Sequence, residues 1–370
     1  MKMKQFIAAG TAALLAAGIF AGCGSTPSEK PSDSVMTSDA EIAAETEEEA
    51  VGEEAAGEEA PEAAADAEAG KVSIVCTTFP QYDWTMQLVK GMEEQFDVTY
   101  LMESGVDLHS YQASAEDIAE IGESDLFIYV GGESDGWVED TLANAVNPEL
   151  RSINMLEALG DAVKEEELVE GMEAEEEEEE EAGEEEEGPE YDEHVWTSLK
   201  NAQELTKSIA AELEAIAPEQ ADAVQSNCEA YVAELAELDA KYADVVGSAK
   251  LDTVLFGDRF PFRYLVDDYG LNYYAAFVGC SAETEASFET ITFLAGKTDE
   301  LKLPAILVIE NSDQKIAETI RDNTESKDQK ILIMDSLQSV SAEDIATGRS
   351  FLGAMESNLG TLTAALGAEQ

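Results

Sequence analysis

The sequence predicts an α/β fold built as two α/β lobes with mainly parallel sheets, joined by a long bridging helix. Three observations predict it. From Lys71 onward, short apolar runs alternate with helical patterns, as strands and crossover helices do in a parallel sheet. The run Leu126-Phe127-Ile128-Tyr129-Val130 is a fully apolar strand that ends in Gly131-Gly132. Finally, Val224, Cys228, Tyr231, Leu235, Leu238, Tyr242 and Val245 recur at alternating steps of four and three. They form one apolar stripe on a helix about 40 Å long, at a rise of about 1.5 Å per residue. Such a stripe also suits a coiled-coil seam; the α/β pattern resuming after it favours a helix that crosses between lobes.

The first lobe opens with a strand at 72–77, a helix at 82–95 and a strand at 97–102. Ser114 caps a further helix, since its hydroxyl can accept from the free N–H groups of a first turn. The strand at 126–130 follows, then a helix at 137–145. After an acidic tract, residues 198–216 read as a helix. Pro218 opens the long one, because proline lacks only an N–H that has no partner there. The second lobe has strands at 253–256, 305–309 and 330–334. Its helices fall at 260–269 beyond Pro261, at 287–297, at 313–323 and at 348–366. The divisions are therefore 71–217 for the first lobe (with an acidic loop at 164–193), 218–247 for the bridge and 248–370 for the second lobe.

What precedes Lys71 reads as delivery rather than fold. Lys2 and Lys4 flank an apolar run from Phe6 to Phe20 that is too short to span a bilayer. It ends in Ala21-Gly22-Cys23, which resembles a bacterial lipobox with Cys23 as the lipidated residue. Residues 24–70 are Ser, Thr, Pro, Ala, Gly and Glu, too poor in apolar surface to offset their ordering entropy. They read as an acidic tether with a span of roughly 40 Å. No other stretch is apolar enough to cross a membrane, so the rest is read as soluble, held to a membrane through the lipid anchor alone. Cys76, Cys228 and Cys280 remain, with no CxxC pair. Buried free thiols are the simplest reading, and one disulfide stays open.

The formal net charge is −62, which removes nucleic acid from the partners because no basic surface is left to neutralise phosphates. Much of that charge lies in the tether and in the tract Glu165–Glu193. The tract reads as a solvated loop, or equally as a weak cation collector.

The chain has two histidines, both beside carboxylates. His109 lies in Gly105-Val106-Asp107-Leu108-His109-Ser110-Tyr111, and His194 in Tyr191-Asp192-Glu193-His194-Val195-Trp196. Neutral imidazole is the commonest nitrogen donor for zinc. Taken singly, each histidine reads more simply as a loop or packing residue.

Together these segments resemble the metal-specific solute-binding lipoproteins of the zinc/manganese ABC importers. Thr77-Thr78-Phe79-Pro80-Gln81-Tyr82-Asp83 is similar to that family's first strand and turn. The His109 segment resembles its Gly-Val-Asp-Pro-His-Asp-Tyr motif, with Leu108 in place of proline. Asp192-Glu193-His194-Val195-Trp196 resembles Asp-Pro-His-Val-Trp, and Ser281-Ala282-Glu283-Thr284-Glu285 resembles Ser-Pro-Glu-Ala-Glu. Asp335-Ser336-Leu337 resembles the segment that supplies the last carboxylate ligand. The resemblance covers residues 71–366. It implies a metal cleft between the lobes, filled by Zn2+ or else Mn2+, with His109, His194 and Asp335 as ligands. It also implies an ABC permease as partner, an extracytoplasmic, lipid-anchored monomer, and no enzymatic activity.

One departure stands out. The family's Ser-His-Asp-Ala-Phe-Gly-Tyr segment matches Gly257-Asp258-Arg259-Phe260-Pro261-Phe262-Arg263-Tyr264, which puts Arg259 where a ligand belongs. A guanidinium has no lone pair to give. Asp258 is the expected replacement, with water, Glu283 or Glu285 behind it, and Arg259 is expected to pair with Asp258 or Asp335. Two imidazoles and two carboxylates make a neutral site for a divalent ion, and the imidazole count favours zinc over manganese. Two other classes of function stay open. A hydrolytic zinc site lacks the motifs HExxH and GxSxG, and an adhesion or cation-buffering lipoprotein would work through its acidic tracts.

Overall fold

The computed structural model describes residues 70–173, 190–281 and 285–368. The leader with Cys23, residues 24–69 of the tether, the glutamate runs at 175–181 and 184–187, and Glu283 lie outside the described residues.

Two four-stranded parallel sheets carry the fold. The first holds β1 (Val72–Cys76), β2 (Phe96–Tyr100), β3 (Leu126–Tyr129) and β4 (Arg151–Asn154), in the order β2-β1-β3-β4. The second holds β5 (Thr253–Phe260), β6 (Asn272–Val278), β7 (Ala305–Val308) and β8 (Lys330–Ile333), in the order β6-β5-β7-β8. Every neighbouring pair in both is parallel. The two orders are the same, so each sheet has its crossover reversal in the same place, and the crevices where such sheets take ligands open at the carboxyl ends of the strands.

The helices of the first half are α1 (Phe79–Leu88), α2 (Ala115–Glu123), α3 (Val138–Ala143), α4 (Met155–Leu159) and α5 (Leu199–Ile216). The long α6 (Ala221–Ser248) follows. Beyond it come α7 (Arg263–Tyr269), α8 (Phe288–Leu301), α9 (Lys315–Asn323), α10 (Ala342–Ala346) and α11 (Phe351–Ala365). Ser114 caps α2 as its sequence suggests, accepting from the N–H of Asp117.

Helix α6 buries Val224, Cys228, Tyr231, Leu235, Leu238 and Tyr242, the stripe legible in the sequence except for Val245, which is only half-buried. It packs on α1 and α5 at one end and on α7 and α11 at the other. The phenols on its stripe finish the seam with hydrogen bonds. Tyr231 Oη donates to Asp83 Oδ2 at 3.4 Å, and Tyr242 Oη donates to the Met355 carbonyl at 2.7 Å. One continuous apolar core results, running from Ile74 and Ile128 in the first sheet to Phe256 and Leu307 in the second. The helix begins three residues beyond Pro218, after a turn at 218–220.

Two strands and two helices were not anticipated, among them the short α4, capped by Asn154, which accepts from the Glu157 N–H. Both strands lie at sheet edges: in β4 only Ile153 is both apolar and buried, whereas β6 begins on an exposed asparagine and is buried from Ala275 to Val278. The short α10 is set by its capping box at Ser341 rather than by an apolar period. The acidic tract is also corrected at its ends. Glu165 bridges to Tyr191, the N–H of Glu166 donates to the Glu190 carbonyl at 3.0 Å, and Glu173 bridges to Phe277 of β6. These backbone bonds hold 165–173 and 190–193 against the protein despite their charge, so the solvated-loop reading fails for both ends.

Asp83 makes a testable point about the α1–α6–α11 junction. It is buried, accepts from the Phe351 N–H at 3.1 Å and from Tyr231, and has no cation among its bonded partners. Burial pushes its carboxyl up to about 6, against an ordinary value of 3.8. A raised folded-state value means the stability it contributes is complete below about pH 4 and is lost as pH rises through about 6. Asp83→Asn is therefore expected to stabilise the protein at pH 7 by roughly 1–3 kcal/mol while changing little at pH 4. Urea unfolding at the two pH values checks this; a variant less stable than the parent at pH 7 would contradict it.

Candidate metal centre

His109 follows β2 on a single turn of 3-10 helix, Leu108–Ser110. Asp107 caps that turn by accepting from the His109 N–H at 3.0 Å. Leu108, in the position where proline was expected, is buried in the main core and anchors the turn from below. The loop of His194 enters differently. Asp192 accepts from the His194 N–H at 2.8 Å and faces its Nδ1 at 3.0 Å, so one carboxylate fixes both backbone and ring. Tyr264 Oη in turn donates to the Asp192 carbonyl at 2.7 Å.

The two imidazoles meet. Their Nε2 atoms are 3.1 Å apart and their ring centres 5.1 Å. Each is braced on its other nitrogen, His194 by Asp192 and His109 by Ser134 Oγ at 2.9 Å. Glu193 stands 3.6 Å behind His109 Nδ1 and also accepts from the Ser134 N–H at 2.9 Å. This is how metal-binding histidines are usually held, with the outer nitrogen fixed so that the inner lone pair is aimed. In a zinc tetrahedron with Zn–N of about 2.0–2.1 Å, neighbouring nitrogens sit about 3.3 Å apart, close to the observed separation.

The two rings are shifted in opposite directions. Burial, and next the positive charge of His194, hold His109 well below its ordinary range. Burial alone would lower His194 too, but the charge and hydrogen bond of Asp192, together with Glu193, outweigh it and raise that ring. His109 therefore offers a free lone pair at neutral pH.

A third donor completes the group. The ligand atoms of His109, His194 and Cys280 all lie within 4.8 Å of one another. Cys280 follows β6 directly after Gly279, and its N–H donates to Glu166 Oε1 at 3.3 Å. Gly279 is required by close approach: a Cβ there would sit 3.0 Å from both Nδ1 and Cε1 of His194 and 3.0 Å from the Phe260 carbonyl oxygen. Gly279→Ala is expected to push the Cys280 loop off the imidazole and weaken metal binding by about 10-fold or more, as loss of an outer support does. Titration of the variant checks this, and unchanged affinity would contradict it.

Neither carboxylate expected as a ligand belongs to that group. Asp335 forms an ion pair with Arg349, while its Oδ1 accepts from the Leu337 N–H at 2.9 Å. Asp258 sits at an irregularity in the register between β5 and β6. There Gly257 lies so close to α9 that a Cβ would come within 2.6 Å of Ala317 Cα. The Asp258 carboxylate caps its own strand end, accepting from the Arg259 N–H at 3.0 Å, and lines a different cavity beside Asn311 and Ser312. Arg259 pairs with Asp107, not with Asp258 or Asp335.

Gln338 was missed. With its amide nitrogen turned to Asp107, 3.1 and 3.2 Å away, its oxygen lies 3.2 Å from His194 Nε2. The loop carrying it is fixed by Glu310, which accepts from the N–H groups of Ser336 and Gln338 and from the Ser336 hydroxyl. Among the described residues, Cys76, Cys228 and Cys280 are all unpaired, and Cys76 and Cys228 are buried.

Two parallel-sheet halves tied by one long helix, with a braced imidazole pair and a thiol gathered where strand-end loops meet, have the layout of a solute-binding protein. A family model described as the periplasmic component A of the zinc-uptake complex matches residues 74–365. The chain belongs to that family. It is 30% identical over 299 residues to the high-affinity zinc uptake system protein ZnuA of Bacillus subtilis, covering 81% of this chain and 89% of that protein. It is also 30% identical over 293 residues to the zinc-binding lipoprotein AdcA of Streptococcus pneumoniae. That match covers 79% of this chain and 55% of AdcA, so the chain spans about half the length of that relative. Among solved structures, the Zn(II)-bound ZnuA-like domain of the same AdcA superposes with a TM-score of 0.63 at 28% identity. The match covers 80% of this chain and 99% of the domain.

Proposed function

We propose that this protein is an extracytoplasmic zinc receptor that captures one Zn2+ between His109 and His194 and hands it to an ABC permease. The observation that carries this is the pair of inward Nε2 atoms 3.1 Å apart, with both outer nitrogens braced. A hydrogen bond between two imidazoles needs no such bracing. The zinc-uptake and zinc-binding relatives support the choice of ion, and two nitrogens favour zinc over manganese. A lipid on Cys23 would keep the receptor at the membrane, and the relatives named as lipoproteins support that reading. Among the described residues no helix is long and apolar enough to cross a membrane.

Release to a permease has to open the centre. Because α6 packs on both halves, the opening is expected to be a local shift of the strand-end loops rather than wide hinge motion. Calorimetric titration of the full chain with zinc tests the capture step. One tight equivalent is expected, lost in His109→Ala. Weak binding of many equivalents, unchanged in that variant, would instead make the protein an acidic cation buffer. Small-angle scattering with and without zinc checks the mechanical part, with nearly superimposable curves expected.

A further inference from the structure

Resting on the zinc reading above, we propose that Cys280 is the third protein ligand, bound as a thiolate, and that it makes the receptor selective for zinc against harder divalent ions such as manganese. The sulfur lies with one ring nitrogen of each imidazole inside one 4.8 Å group, which includes neither Asp335 nor Asp258. The place normally open to a histidine or carboxylate ligand is taken by Arg259, which cannot donate and is drawn aside by Asp107. The same half of the molecule then offers one soft donor from the next strand end, and Gly279 lets that loop press onto the His194 ring.

The other thiols are unsuited to the role. Cys76 lies within β1, with Thr85 Oγ1 3.8 Å from its sulfur, and Cys228 lies on the buried stripe of α6. Among the described cysteines only Cys280 borders the cavity of about 260 Å³ that His109, Ser134, Glu166 and Glu193 also line, which leaves an approach for an ion and a fourth corner for an oxygen donor. Binding forms a sulfur–metal bond as the thiol gives its proton to solvent, with no change of oxidation state. Thiolate suits zinc and cobalt and is a poor partner for manganese, whose preference is oxygen.

Cobalt(II) reports the donor set directly, because a thiolate bound to it gives a near-ultraviolet charge-transfer band that nitrogen and oxygen donors do not. The full-length protein loaded with one equivalent of Co2+ is expected to show that band. Cys280→Ser should lose it, whereas Cys23→Ser and Cys228→Ser keep it. Zinc affinity of Cys280→Ser should fall by more than about 100-fold, beyond the usual cost of losing an outer partner. Cys280→Asp should narrow the zinc-over-manganese ratio by at least about 10-fold. Stoichiometric cobalt binding without the band in the parent protein overturns the thiolate while leaving the imidazole pair standing, even if Cys280→Ser does not fold. A parent protein that binds neither cobalt nor zinc stoichiometrically overturns both readings, and zinc affinity within about threefold of the parent in folded Cys280→Ser overturns the thiolate alone.

Discussion

Replacing His109 by alanine is expected to weaken zinc binding by at least about 1,000-fold, or about 4 kcal/mol, with the fold intact. The asymmetry of the two histidines makes this the cleaner variant. His109 sits on a loop turn held by Asp107 and Leu108, and its side chain borders the cavity of about 260 Å³, so the space left by removing the ring joins that cavity. His194 is wholly buried and hydrogen-bonded to Asp192, so His194→Ala would open a cavity and orphan a carboxylate together with removing a ligand. Equilibrium zinc titration beside thermal unfolding separates the effects. Unchanged affinity in folded His109→Ala would remove that residue from the site.

The second large effect is structural and reaches the site indirectly. Trp196 is completely buried, stands edge-on to His194 at 5.5 Å between ring centres, and donates from Nε1 to the Ser336 carbonyl at 2.8 Å. That bond ties the His194 loop to the loop after β8, which also carries Gln338. Trp196→Ala is expected to destabilise the protein by roughly 3–5 kcal/mol, the usual range for an emptied core aromatic. It should also lower zinc affinity, because His194 loses its floor. Trp196→Phe keeps most of the volume and loses the donor, so it should fall between. Chemical denaturation of both variants checks the order, and a Trp196→Ala protein within about 1 kcal/mol of the parent would contradict the packing argument.

What was legible in the sequence follows physical signal strength. The α6 stripe and the apolar β3 read clearly, because burial forces a period on many residues at once. His109 and His194 stood out because histidine is otherwise absent and both sit beside carboxylates that now hold their turns or rings. The carboxylates could not be placed by spacing. Asp335 has Arg349 for a partner, and the register irregularity at Gly257 turns Asp258 elsewhere; both depend on contacts from distant segments. Cys280 was missed with its strand. The signal was present in Gly279-Cys280 directly after the apolar end of β6, in the half that lacks a donor at Arg259, but a single cysteine carries no period. Gln338 had no chemical mark at all; only its place on the loop fixed by Glu310 brings it to the centre.

The central claim is that two imidazoles from separate loops close on one zinc ion. Anomalous diffraction at the zinc edge, from crystals grown with one equivalent of Zn2+, tests it most directly. The expected result is a single strong peak about 2.0–2.1 Å from both His109 Nε2 and His194 Nε2. A peak held by carboxylates of the acidic tract, with both imidazoles free, would contradict it.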